Sequence, residues 1–92
     1  MNEEELLVKL REAFKAEAEE RLASLSSGLA GLEKTSEPDK QRSILEALFR
    51  EAHSLKGAAR AVDLADIETL CQSVESIFSA ALFNNKISPL LL

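Results

Sequence analysis

The chain has no tryptophan, no tyrosine, one cysteine (Cys71), one histidine (His53), three glycines and two prolines. Each scarcity excludes something. One cysteine cannot close an intramolecular disulfide, and one cysteine with one histidine cannot build a multi-Cys or multi-His metal site. A catalytic arrangement that needs a second imidazole is excluded by the same count. So few glycines and prolines argue against an all-β chain, which needs many turns, and favour an all-α one. Cations are also short, with 11 Lys and Arg against 16 Asp and Glu and a net charge of −5. Such a chain lacks the basic surface that nucleic acid or anionic lipid requires, so neither is an expected partner. No apolar run approaches the ~18–20 residues of a membrane span, so membrane insertion is not expected. The opening Asn2-Glu3-Glu4-Glu5 has the wrong charge for a secretory signal, and a reduced cytoplasmic setting is expected.

What is present is helical periodicity. With 92 residues the chain reads as one domain, 1–92, with one modest core. In the segment from about Glu3 to Glu33, Leu7, Leu10, Phe14, Ala18, Leu22, Leu25, Leu29 and Leu32 recur every three or four residues and make one stripe. From about Asp39 to Ala61 the stripe is Leu45, Leu48, Ala52, Leu55 and Ala59, continued by Val62. From about Leu64 to Phe83 it is Ile67, Leu70, Cys71, Val74, Ile77, Phe78 and Ala81. The polar run Lys34–Asp39, with Pro38, separates the first two segments. Asp63 is placed to cap the third, and Asn84-Asn85-Lys86 to end it in a left-handed conformation. Long amphipathic helices with short connections predict an antiparallel bundle. The last residues, Ile87-Ser88-Pro89-Leu90-Leu91-Leu92, read as a truncated fourth helix, since Ser-Pro is a good helix start. The chain is therefore expected to be a fragment of a longer one, with an open apolar groove across which it homodimerises.

The chemistry concentrates around His53. On the second segment His53 lies ~130° from the centre of the apolar stripe, on the solvated flank. Lys56 follows three residues on, Gly57 four and Arg60 seven. A helix-interior glycine costs up to ~1 kcal/mol relative to alanine, and Gly57 leaves bare backbone beside the ring, useful where another molecule must approach. Imidazole is nucleophilic near neutral pH and can carry a phosphoryl group. Lys56 and Arg60 supply cations for that group. A carboxylate on a neighbouring helix would fix the tautomer, and Glu75 sits at the edge of the third stripe, placed to reach sideways.

The run Leu48-Phe49-Arg50-Glu51-Ala52-His53-Ser54-Leu55-Lys56-Gly57 resembles the signature of histidine-containing phosphotransfer (HPt) domains, and the first segment is similar to the opening helix of CheA-type chemotaxis histidine kinases. The likeness covers about residues 10–83. It implies an HPt-type bundle in which His53 accepts a phosphoryl group from a histidine kinase ATP-binding domain and passes it to an aspartate of a response regulator receiver domain. It implies that Glu75 orients His53, that Lys56 meets the phosphoryl charge, and that Phe49, Gly57, Arg60 and Gln72 face the partners. ATP and magnesium would sit on the partner domains, with no cofactor and no metal in this one. The domain would not be an enzyme on its own, and a longer parent would be a CheA-type kinase. Two positions depart from the family: Gln72 stands where CheA members usually carry a second histidine, and Ala58, Ala59, Arg60 and Asp63 stand where glycines are common.

Plainer readings compete at several positions. Phe14, Phe49, Phe78 and Phe83 suit packing, Cys71 a buried structural thiol, and Glu17 with Arg21 an i,i+4 pair. The competing function is a non-catalytic helical interaction module in which His53 is incidental.

Overall fold

The computed structural model describes residues 1–84. They form three helices: α1 (Glu3–Lys34), α2 (Pro38–Ala61) and α3 (Ala65–Phe83). No strand occurs among the described residues. All six helix ends fall within a residue of those expected from periodicity.

Local chemistry explains the ends. At the start of α1 the Asn2 side chain accepts a hydrogen bond from the Glu5 N–H at 2.8 Å, and Glu3, Glu4 and Glu5 place negative charge against the helix N-terminus. Between α1 and α2 the Gln41 side chain donates to the Thr35 carbonyl at 3.1 Å, and Pro38 opens α2 with its fixed φ.

The α2–α3 reversal is tighter. The Leu64 N–H donates to the Ala59 carbonyl at 2.9 Å, and the Asp63 N–H to the Arg60 carbonyl at 3.1 Å. These two bonds are the Schellman closure of a helix C-terminus. Its left-handed position, normally glycine, is held by Asp63 at φ 61°. The two carbonyls that follow are taken from across the molecule, because Arg11 of α1 donates to Val62 O at 3.1 Å and to Asp63 O at 3.4 Å. The expectation that Asp63 caps α3 is thus corrected. Leu64 is the N-cap and no side chain caps α3, because Asp63 is used in closing α2. Val62 and Leu64 both pack into the core, so the chain reverses around the one residue between them.

Helix α2 is the centre of the fold. Along α1, Arg11 reaches Val62, Arg21 reaches Glu51 and Gly28 meets Leu48, so the two helices run in opposite senses. One cluster gathers Leu32, Leu45, Leu48, Ala52, Phe78 and Ala81; the other gathers Phe14, Leu55, Ala59, Val62 and Cys71. Leu48 is 1% exposed, and a Cβ at Gly28 would fall 2.6 Å from its Cδ2. Glycine there lets α1 approach α2 closely, which offsets its helix-interior cost.

Helices α1 and α3 both lie against α2 but make no close backbone approach to each other. Between them runs an apolar groove floored by Ala52 and Leu55 and walled by Leu22, Leu25, Leu70 and Val74. Six residues expected in the core are consequently exposed: Leu10, Leu22 and Leu29 on α1, and Ile67, Leu70 and Ile77 on α3. Each outer helix has one packed neighbour, so only part of its stripe is covered. The expected start of a fourth helix, Ile87–Leu92, lies outside the described residues. At the end of α3, Asn84 is right-handed (φ −73°, ψ −7°) rather than left-handed, and its N–H closes the helix onto Ala80 O and Leu82 O.

A side chain at left-handed φ costs about 1 kcal/mol or more for most residues, somewhat less for Asp. Asp63→Gly is therefore expected to stabilise the chain by about 0.5–1 kcal/mol, raising the melting temperature by a few degrees. A thermal melt with no gain, or a loss, would contradict this account of the turn.

Candidate functional site

The site is built across α2 and α3. Leu48, Ala52 and Leu55 fix the roll of α2 by burying its apolar face. That roll carries His53 to the outside, where its side chain is 63% exposed. On α3, burial of Cys71 and Phe78 turns the intervening Glu75 towards α2. The two side chains meet, with His53 Nδ1 2.8 Å from Glu75 Oε2. A carboxylate only accepts hydrogen bonds, so Nδ1 is the donor and carries the ring proton. In the neutral ring the lone pair is then on Nε2, the edge turned away from Glu75.

Glu75 has a second donor. Lys56 Nζ donates to Glu75 Oε1 at 3.0 Å and to Gln72 Oε1 at 3.0 Å. Gln72 is itself held, its amide donating to Ser76 Oγ at 3.2 Å and Ser76 Oγ donating to the Gln72 carbonyl at 2.9 Å. One oxygen of the carboxylate therefore faces an imidazole and the other an ammonium. Burial of Glu75, 12% exposed, would by itself push its pKa up. The hydrogen bonds and positive charge of Lys56 and then His53 outweigh this and hold the carboxyl below its ordinary value. Phe49, one turn before His53, stacks on the imidazole with ring centroids 6.2 Å apart and planes 9° from parallel. The ring is thus fixed by a hydrogen bond at one edge and an aromatic face at its side.

The residues singled out from sequence come together unequally. His53, Glu75, Lys56, Gln72 and Phe49 form one connected set. The Lys56 ammonium rests on Glu75 and Gln72, so its first task is to hold the carboxylate. Gly57 is exposed, with no atom within 4 Å of where a Cβ would stand; no internal packing accounts for this glycine. Arg60 is 81% exposed and 3.8 Å from Glu68. Glu17 and Arg21 pair at 2.9 Å as expected, and Arg21 also reaches Glu51 at 3.1 Å to tie α1 to α2. Sequence reasoning did not find the double use of Glu75 by His53 and Lys56. The signal was there in the spacing, since Gln72 and Glu75, three apart on α3, face Lys56 together. Among the described residues no cluster of His, Cys, Asp and Glu suits a metal ion. No helix among them is long and apolar enough to cross a membrane.

The sequence has known relatives. The Hpt domain family model matches residues 9–89. Chemotaxis protein CheA of Rhizobium meliloti (strain 1021) is 34% identical over 80 residues, which is 87% of this chain and 10% of that protein. No solved structure matches the chain. The chain belongs to the Hpt (histidine-containing phosphotransfer) domain family. It is a phosphotransfer module of two-component signalling, a carrier rather than an enzyme in its own right. It spans about a tenth of the length of the CheA protein it matches.

Glu75 titrates below its ordinary value, so the ionised carboxyl favours the folded state. That stability is complete above the unfolded-state pKa of about 4.3 and is lost as pH falls through the lower folded value. Glu75→Ala should therefore be less stable than the native chain at pH 7, with the gap closing as pH falls below the ordinary carboxylate range. In the same variant the ¹⁵N shifts of the neutral His53 ring should move away from the Nδ1–H tautomer. A gap independent of pH, or an unchanged tautomer, would show that Glu75 does neither.

Proposed function

We propose that His53 is the phosphoryl carrier and that Nε2 is the atom that bears the group. The observation that carries this reading is the 2.8 Å contact of Nδ1 with Glu75 on a side chain that is 63% exposed. The Nε2 lone pair attacks the γ-phosphorus of ATP held with magnesium on a histidine kinase domain, and the bond to the ADP oxygen breaks. Nδ1 keeps its proton throughout, so the phosphorylated ring is an imidazolium. Glu75 offsets that positive charge, and Lys56 keeps the carboxylate ionised and aimed. In the second step an aspartate oxygen of a receiver domain attacks phosphorus. The N–P bond breaks, its electron pair returns to Nε2, and neutral imidazole leaves. Gly57 and Arg60 face the approaching domains, Gly57 by leaving room and Arg60 by its charge. The similarity to a chemotaxis CheA protein supports a CheA-type parent chain and a cytoplasmic pathway of that kind.

The test is direct. His53→Gln should keep its helicity, because the ring is on the surface, and should take up no acid-labile phosphate from a CheA-type kinase and labelled ATP. Equal labelling of variant and native chains would leave only the reading in which His53 is incidental to a helical interaction module.

The α1–α3 groove supports one further partner for the 92-residue chain, a second copy of itself. Leu22 is 56% and Leu70 64% exposed on facing walls, and water-exposed apolar surface of this kind favours association at roughly 25 cal/mol per Å² covered. Sedimentation equilibrium at micromolar concentration should show a dimer that Leu70→Glu returns to monomer. A single species of about the 10.1 kDa chain mass in the native sequence would overturn this.

A further inference from the structure

Beside His53, on the side away from the α1–α3 groove, α2 and the C-terminal half of α3 enclose an open cleft of about 500 Å³. Phe49 and Phe83 form its walls, with Ser76, Ser79 and Ala80 between them on α3. Phe83 is 89% exposed. Such exposure leaves a large apolar side chain in water with no packing gain among the described residues. The small residues at 76, 79 and 80 leave the space open in front of it.

The cleft is continuous with the histidine site. Phe49 both walls it and stacks on the imidazole, and Gln72 and Glu75 line both. A domain that reaches His53 Nε2 must pass beside it. The other flank of His53 is cationic. Arg50 lies one turn before the histidine and Arg60 two turns after it, and both are exposed. Among the described residues Arg50 makes no ion pair, and Arg60 only the 3.8 Å contact with Glu68. In a chain of net charge −5 this is a local reversal of sign.

We propose that the Phe49–Phe83 cleft seats an apolar side chain of the receiver domain that takes the phosphoryl group, while Arg50 and Arg60 face the acidic surround of its acceptor aspartate. This rests on His53 being the carrier, and it adds what selects the acceptor. Charge complementarity favours the receiver as occupant. A carboxylate must approach an already anionic phosphoryl group, and flanking guanidinium groups offset that repulsion. Phe83 is the anchor that positions the receiver. It stands outside the hydrogen-bonded set.

The experiment separates this from the reading beneath it. Phosphoramidate, a small donor that needs no docking surface, is used to load His53 in the native chain, in Phe83→Ser and in the double variant Arg50→Glu/Arg60→Glu. Transfer to a chemotaxis-type single-domain receiver protein is then followed on phosphate-affinity gels. Loading and spontaneous hydrolysis should be the same in Phe83→Ser as in the native chain. Transfer kcat/KM should fall at least about tenfold in Phe83→Ser. In the charge variant the rate should fall and lose its dependence on salt. Native transfer rates in Phe83→Ser would overturn the proposal while leaving His53 as carrier. Slower loading by a CheA-type kinase domain with unchanged transfer would assign the cleft to the donor and overturn it equally. Failure of the native chain to load, or to pass its group on, would remove the carrier reading and this inference together.

Discussion

The carboxylate of Glu75 joins the two halves of the site. It takes a hydrogen bond from an imidazole on one oxygen and from an ammonium on the other, both on α2, while standing on α3. Two donors from one helix aimed at one acceptor on another fix the mutual rotation of the helices as well as the tautomer of the ring. Neither donor could be replaced by burial, since an unpaired carboxylate at 12% exposure would carry an uncompensated desolvation cost. Gln72 and Ser76 extend the arrangement by holding the lysine from its far side. The proton on Nδ1, and with it the lone pair on Nε2, is thus set by contacts at one edge of the ring.

Apolar periodicity in a chain with few helix breakers marked all three helices to within a residue or two. It also placed His53 outward and Glu75 at a boundary, because a residue's angle on a helix follows from its number alone. What periodicity could not show is how many neighbours each stripe would meet. Leu22, Leu29, Leu70 and Ile77 belong to the same stripes as Leu25, Leu32, Val74 and Phe78, yet they are exposed, and Leu22 and Leu70 line the open groove. Asp63 was misjudged for a related reason. Its capping chemistry is real, but the burial of Val62 and Leu64 on either side of it decided its conformation. Arg11 reaching the carbonyls of Val62 and Asp63 is a contact across some fifty residues, and no local pattern announces it.

The electrostatics of the molecule are uneven in a useful way. Most of its acidic residues lie on the solvated faces of long helices. Arg21 binds two of them between α1 and α2, which spends that cation on structure. The cations along the exposed flank of α2 at Arg50 and Arg60 are spent on nothing comparable. An overall negative chain suppresses contact with other anionic surfaces at long range. Within a Debye length of roughly 8–10 Å the local charge governs, and beside His53 it includes the exposed guanidinium groups of Arg50 and Arg60.

The three-residue reversal between α2 and α3 sets the phase of the site. His53 and Glu75 are separated by 22 positions, and the turn contributes the only non-helical ones. Its N–H and carbonyl groups are committed to Ala59, Arg60 and Arg11, so it holds no slack. One additional residue passed on into α3 would advance that helix by 1.5 Å and rotate it by about 100°. That would take the carboxylate off the imidazole and put Ser76 or Val74 in its place. Loop length between these helices is therefore a discrete variable. The side chain at position 63 can vary at modest cost, as an aspartate at left-handed φ illustrates, while the number of residues in the turn cannot.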